Sequence, residues 1–144
     1  MRSRVFSFGV LLAGLASFGV IRDAAATDAQ NYAELEKAVL DGKDIRMTLD
    51  LSKCLVHSTE KPGPLVRGSL HFEGYMEGDQ GIAFATTHFT VRSDNTPVDE
   101  FLSFKVDRAG KVDAKTRFLN PVTYAVFHEA EFDCSMGEGV AFHW

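Results

Sequence analysis

Apolar and polar positions change their rhythm twice along this chain. A greasy run from Val5 to Ile21 gives way to a stretch with Tyr32, Leu35 and Val39 on one helical face, and from Ile45 onward apolar and polar residues alternate. The middle stretch reads as an amphipathic helix. Asn31 is placed to cap it, Glu34 follows as in a capping box, and Gly42 is a natural stop. About ten residues of helix do not hold alone in water, so this one has to dock on something.

In Ile45-Arg46-Met47-Thr48-Leu49-Asp50-Leu51-Ser52 every odd position is apolar and every even one polar, as in a strand with one buried face. Cys54 ends that strand, and Pro62-Gly63-Pro64 marks the loop after it. Further strands are predicted around Val66 to Phe72, Ile82 to Val91, Leu102 to Val106, Val112 to Phe118, Tyr124 to Phe132 and Val140 to Trp144. The turns between them are written in Glu77-Gly78-Asp79-Gln80-Gly81, Ser93-Asp94-Asn95-Thr96-Pro97, Asp107-Arg108-Ala109-Gly110 and Asn120-Pro121. One helix followed by six or seven mostly antiparallel strands predicts an α+β domain, the N-terminal helix packed on a curved sheet or small barrel.

The opening run changes where this domain is expected to work. Residues 1–26 have the order of a secretory signal: Arg2 and Arg4, the apolar run, then Ala24-Ala25-Ala26 with small residues where a signal peptidase needs them. Cleavage is placed after Ala26, leaving a single domain over 27–144. At about 17 positions the run also reaches the lower edge of the roughly 17 to 25 residues that cross a bilayer, so a retained anchor is the alternative. After cleavage no stable membrane anchor is expected. The mature segment then carries 12 basic and 19 acidic residues, a net charge of −7. Such a surface repels phosphate backbones and anionic lipid, which argues against nucleic acid and membrane surfaces as partners.

Export also changes how the two cysteines are read. In an oxidising compartment Cys54 and Cys134 are expected to pair, closing a loop of about 80 residues that is worth roughly 4 to 5 kcal/mol as an upper guide. The competing reading takes Cys54 and His57, as C-L-V-H, for half of a metal site. Zinc favours four ligands in short paired spacings, and Cys134 has no second Cys or His within four residues. No metal and no cofactor are therefore expected.

Catalytic patterns are equally sparse. His57, His71, His88, His128 and His143 are scattered, with His71 and His143 placed outward by strand parity and His128 inward. Glu129 and Glu131 face one way and His128 the other, so one strand cannot aim all three at a substrate, and a solvated acidic stripe is the simpler reading. Ser69 and Ser135 lack the elbow that activates a serine, and Gly137 and Gly139 read as a turn. The phenylalanines are the richest resource. Phe72, Phe84, Phe89, Phe101, Phe104, Phe118, Phe127, Phe132 and Phe142 can fill a core or, as the sharper option, line a lipocalin-like pocket.

Taken together, Y-A-E-L-E-K-A-V-L-D-G from Tyr32, M-T-L-D-L-S-K-C ending at Cys54, F-x-V-D-R-A-G-K-V from Phe104 and F-D-C-S-M-G-E-G-V-A-F around Cys134 resemble the VirK family. These are small exported proteins of plant-associated and other Gram-negative bacteria, connected with virulence gene regions. The resemblance implies a periplasmic or secreted factor and supplies no catalytic residues. Virulence association describes a genomic setting and not a reaction. The expectation is a non-enzymatic exported accessory protein that binds a protein partner. A carrier of a small apolar ligand and a small hydrolase are the alternatives, and the ligand-binding residues are left unassigned.

Overall fold

The computed structural model describes residues 24–144, so the leader read at 1–26 lies outside the described residues except for its last three. Those three begin the helix. Helix α1 runs Ala24–Leu40, passing through Asn31, which is therefore not its cap. Alanine has the highest helix propensity, and the run Ala24-Ala25-Ala26 carries the helix upstream of the expected start. Its end is as expected: Gly42 adopts φ +69°, the Gly42 N–H donates to the Val39 carbonyl, and the Lys43 N–H donates to that of Ala38. That pair of bonds is a Schellman stop. Tyr32, Leu35, Ala38 and Val39 form the buried face.

Nine strands follow in one sheet: β1 (Ile45–Asp50), β2 (Leu55–Val56), β3 (Arg67–Phe72), β4 (Tyr75–Gly78), β5 (Gly81–Val91), β6 (Pro97–Val106), β7 (Lys111–Leu119), β8 (Val126–Met136) and β9 (Gly139–His143). They lie in the order β3-β1-β9-β8-β7-β6-β5-β4, with β2 paired to β8. All pairings are antiparallel except a short parallel contact of β8 with β9. The expected six or seven strands are thus nine. The two extra ones have physical reasons to be silent in sequence: β2 is two residues long, and β4 is exposed along its whole length, so neither shows an alternation.

Strands β3 and β4 are joined by Glu73 and Gly74 alone, yet they stand at opposite ends of the strand order. The sheet has to roll up for both statements to hold. It closes where Phe72 of β3 meets Phe84 of β5, ring centroids 4.9 Å apart, with Phe104 of β6 at 5.8 Å from Phe72. The result is a nearly closed barrel. Helix α1 plugs one end, adding Tyr32, Leu35 and Val39 to a core of Ile45, Met47, Ile82, Val106, Val112, Met136 and Val140. At that end Arg108, in the β6–β7 hairpin, reaches Glu36 of the helix at 3.9 Å.

The hairpin signals read in the sequence are used as written. Asp107 Oδ1 accepts from the N–H groups of Ala109 and Lys111, and Asn95 takes φ +63° in the β5–β6 turn. No helix among the described residues is long and apolar enough to cross a membrane.

Cys54 and Cys134 are joined, their Cα atoms 4.5 Å apart and both side chains buried. The bond pins the exit of β1, through a single 3-10 turn (Leu51–Lys53), to β8, and β2 then pairs Leu55 with Asp133 and Val56 with Phe132. Gly139, at φ +93°, gives the bridge its room: a Cβ there would stand 2.8 Å from Cys54 Sγ. Replacing both cysteines by alanine should lower the unfolding free energy by about 3 to 5 kcal/mol, read from denaturant midpoints. Reducing the wild-type protein should move its midpoint by the same amount.

Candidate functional site at the barrel mouth

The alternation of β5 to β8 sets side chains in rungs across the concave face, and the rungs change character away from the helix. Phe84, Phe104, Ala114 and Phe132 form one rung, all buried. Thr86, Leu102, Thr116 and Ala130 form the next, and His88, Glu100, Phe118 and His128 the one nearest the open end. The interior is therefore apolar at depth and polar at the mouth. Opposite stand Leu49 and Leu51 at the end of β1 and Val66, Gly68 and Leu70 on and before β3. Together these surfaces enclose a cavity of about 280 Å³. Its access is explained by the sheet: β4 pairs with β5 only over Gly81 to Phe84, so among the described residues the upper half of β5 has β6 alone as a paired strand.

Glu100 organises the polar end. Its Oε1 accepts a 2.8 Å hydrogen bond from the Thr116 hydroxyl, and its Oε2 lies 3.2 Å from Nε2 of His88. The Glu100 side chain is 19% exposed, a carboxylate held at the border between apolar wall and solvent. Roomier depressions of about 480 and 610 Å³ lie beside Asp50 and Arg67 and along the β4–β5 seam, but neither is lined by the His88, Glu100 and Thr116 cluster.

The convex face carries a different set of charges. Lys115 Nζ binds Glu131 at 2.8 Å and Arg117 Nε binds Glu129 at 2.6 Å, each across the β7–β8 ladder. The expected acidic stripe at Glu129 and Glu131 is thus an ion-pair ladder, because β7 presents a cation opposite each carboxylate. The hydrogen bond to Glu131 is also the main reason the Lys115 ammonium is held above its usual range. On the cavity rim, Arg67 Nε donates to Asp50 at 2.8 Å. The Asp50 carboxyl sits below the usual carboxylate range, first through its bond from Ser52 and then through Arg67.

Each histidine finds its own neighbour. Nδ1 of His57 lies 2.8 Å from Asp133, Nε2 of His71 contacts Asp44, and His143 contacts the Thr48 hydroxyl at 3.3 Å. His71 and His143 point outward as expected. His128 is on the concave face as expected, although exposed, and its ring stacks at 5.6 Å from Phe118. The C-L-V-H pair separates: Cys54 is in the cystine while His57 stands on the surface. No group of three or more candidate metal ligands converges among the described residues. Ser69 and Ser135 are exposed strand residues, and Gly137 and Gly139 shape the turn between β8 and β9 with φ +79° and +93°. Of the phenylalanines, Phe72, Phe84, Phe104 and Phe132 fill the core, whereas Phe89 is 63% and Phe127 45% exposed.

The mouth was missed in the sequence for want of a motif, yet it left a signal. On β6 the inward positions are Val98, Glu100, Leu102, Phe104 and Val106, and on β7 they are Val112, Ala114, Thr116 and Phe118. One carboxylate and one hydroxyl interrupt two otherwise apolar faces.

With the architecture in hand, comparison with known proteins defines its class. The family model described as VirK protein matches residues 28–124. This chain belongs to the VirK family. It is 31% identical over 140 residues to the uncharacterized protein y4wH of Sinorhizobium fredii (strain NBRC 101917 / NGR234), covering 94% of this chain and 92% of the relative. It is 29% identical over 112 residues to an uncharacterized protein in the pinF2 3' region of Rhizobium radiobacter, covering 76% and 77%. Its fold is shared with the crystal structure of lpg1832, a VirK family protein from Legionella pneumophila. The TM-score is 0.71 at 24% identity, over 79% of this chain and 96% of that one.

The His57 pair sets a pH dependence. Its hydrogen bond to Asp133 raises the imidazole above its ordinary value, with the charges of Asp133 and Glu131 adding and burial and Lys115 opposing. A raised folded value means the stabilisation is complete below the unfolded value near about 6.5 and fades as pH climbs through the folded one. His57→Gln should therefore lower the melting temperature at about pH 5.5, and the difference from wild type should vanish by about pH 9.

Proposed function

We propose that this protein is a non-catalytic exported binding protein that receives a small, largely apolar ligand in the open mouth of its barrel. The leader composition of residues 1–26 and the buried cystine support export. The observation that carries the binding reading is the cavity of about 280 Å³, apolar at depth and polar at its lip. Mouths of β-barrels are a recurrent place for such sites because closing a sheet leaves a walled interior that side chains fill incompletely. This puts the carrier reading ahead of the protein-partner reading favoured by sequence alone. Native mass spectrometry of protein purified from its own envelope fraction should show a small-molecule adduct. The neutral probe 2-phenylethanol should bind the emptied protein, and Leu70→Trp, which fills the mouth from its rim, should abolish that binding while the melting temperature holds. Retained binding in Leu70→Trp would sink the assignment.

Docking of a protein partner keeps support from a separate feature. The strand tips at the open end leave Phe89, Val91, Val122, Tyr124, Val126 and Phe127 exposed, and the Arg92 guanidinium lies 5.4 Å from the Phe127 ring centre. Exposed aromatic clusters of this kind favour protein contact. A photo-crosslinking residue at Tyr124 in living cells should give one discrete protein adduct that Phe127→Glu removes. A smear, or no adduct, would leave only the cavity.

A further inference from the structure

We infer that the barrel mouth selects a primary organic ammonium, its apolar body in the cavity and its head on Glu100. The inference rests on the mouth being a binding site and goes further by naming the chemistry of the ligand.

The charges lining the cavity are unequal. Arg67 on the rim is matched by Asp50 at 2.8 Å, and Lys115, whose ammonium points to the convex face, by Glu131 at 2.8 Å. Glu100 is the one carboxylate among the lining residues, and its partners are a hydroxyl and an imidazole, neither of them a fixed cation. A carboxylate offers about four acceptor positions; the Thr116 hydroxyl donates to one and the His88 ring stands 3.2 Å from the other oxygen, which leaves acceptor capacity free. Glu100 shares the cavity lining with apolar walls built from Leu49, Leu51, Leu70, Leu102, Phe104 and Phe132. There a charge-assisted hydrogen bond is stronger than in open water, and a second anion is repelled.

The form of the head follows from the geometry. A compact ammonium needs only one of the acceptor positions that Thr116 and His88 leave open on Glu100, and it places its charge at a single point. The size of the body follows from the volume. About 280 Å³ equals the liquid volume of roughly nine waters, which suits an aryl or short alkyl chain and not a long lipid. The acidic balance of the whole chain, net −5, adds a long-range attraction for cations.

Three probes of one shape test this: 2-phenylethylammonium, 2-phenylethanol and 3-phenylpropionate, titrated calorimetrically into the full exported protein after removal of any bound cargo. The ammonium should bind at least about tenfold more tightly than the alcohol, and the carboxylate should not bind measurably. In Glu100→Gln, which keeps an acceptor for Thr116, the preference for ammonium over alcohol should fall to within about threefold. Equal affinity of alcohol and ammonium in the wild type overturns the inference while leaving the mouth a binding site. A preference that survives in Glu100→Gln overturns it as well. Failure of all three probes to bind overturns the mouth reading itself. The wild-type comparison decides the matter even if Glu100→Gln does not fold.

Discussion

The bond between Cys54 and Cys134 holds together two parts of the chain that local structure alone would not keep in contact. It spans 80 residues and fixes the exit of β1 against β8, close to the point where β8 turns through Gly137 into β9. Three consequences are visible around it. Strand β2, two residues long, has a partner because the bridge delivers it there. The loop that follows folds back over the bridge, the Gly63 N–H donating to the Cys54 carbonyl and the Gly63 Cα pressed against the Leu51 carbonyl so closely that no side chain fits. The Leu51 N–H then donates to the Val66 carbonyl, which sets the last wall of the cavity before β3 begins. Loss of the bridge would therefore loosen the mouth as well as the domain.

Closure of the barrel follows a topological constraint more than any single contact. A chain that places β3 at one edge and β4 at the other, with two residues between them, has no flat solution. Packing of Phe72 on Phe84 seals the lower part of the seam, and helix α1 seals the end beneath it. Nothing equivalent covers the upper part among the described residues, because β4 ends its pairing at Phe84. The same sheet is thus a sealed core at one end and an open vessel at the other. That division leaves a small domain an open cavity without giving up its core.

How much of this was legible from residues alone can be judged element by element. The helix face of Tyr32, Leu35 and Val39, the alternation of β1, the Asp107 hairpin and the pairing of the two cysteines all stood in the sequence, since each depends on neighbours a few residues away or on compartment chemistry. The start of α1 did not, because an alanine run continues a helix past any capping residue. Strands β2 and β4 did not, because pairing and not pattern creates them. Glu129 and Glu131 read as a bare acidic stripe because their partners, Arg117 and Lys115, come from the neighbouring strand.

The sequence by itself determined the family, the cystine, the strand-rich plan and the apolar residues that build the core, since periodicity and composition act over short range. Only the tertiary structure decided that His88, Glu100 and Thr116 meet at the lip of an apolar cavity. These residues sit on three different strands, and their convergence depends on the register of β5 on β6 and of β6 on β7 together with the curl of the sheet. The hairpin turns fix each register locally, but the curl that gathers the three side chains over one cavity is set by packing between distant strands, which no single position in the chain records.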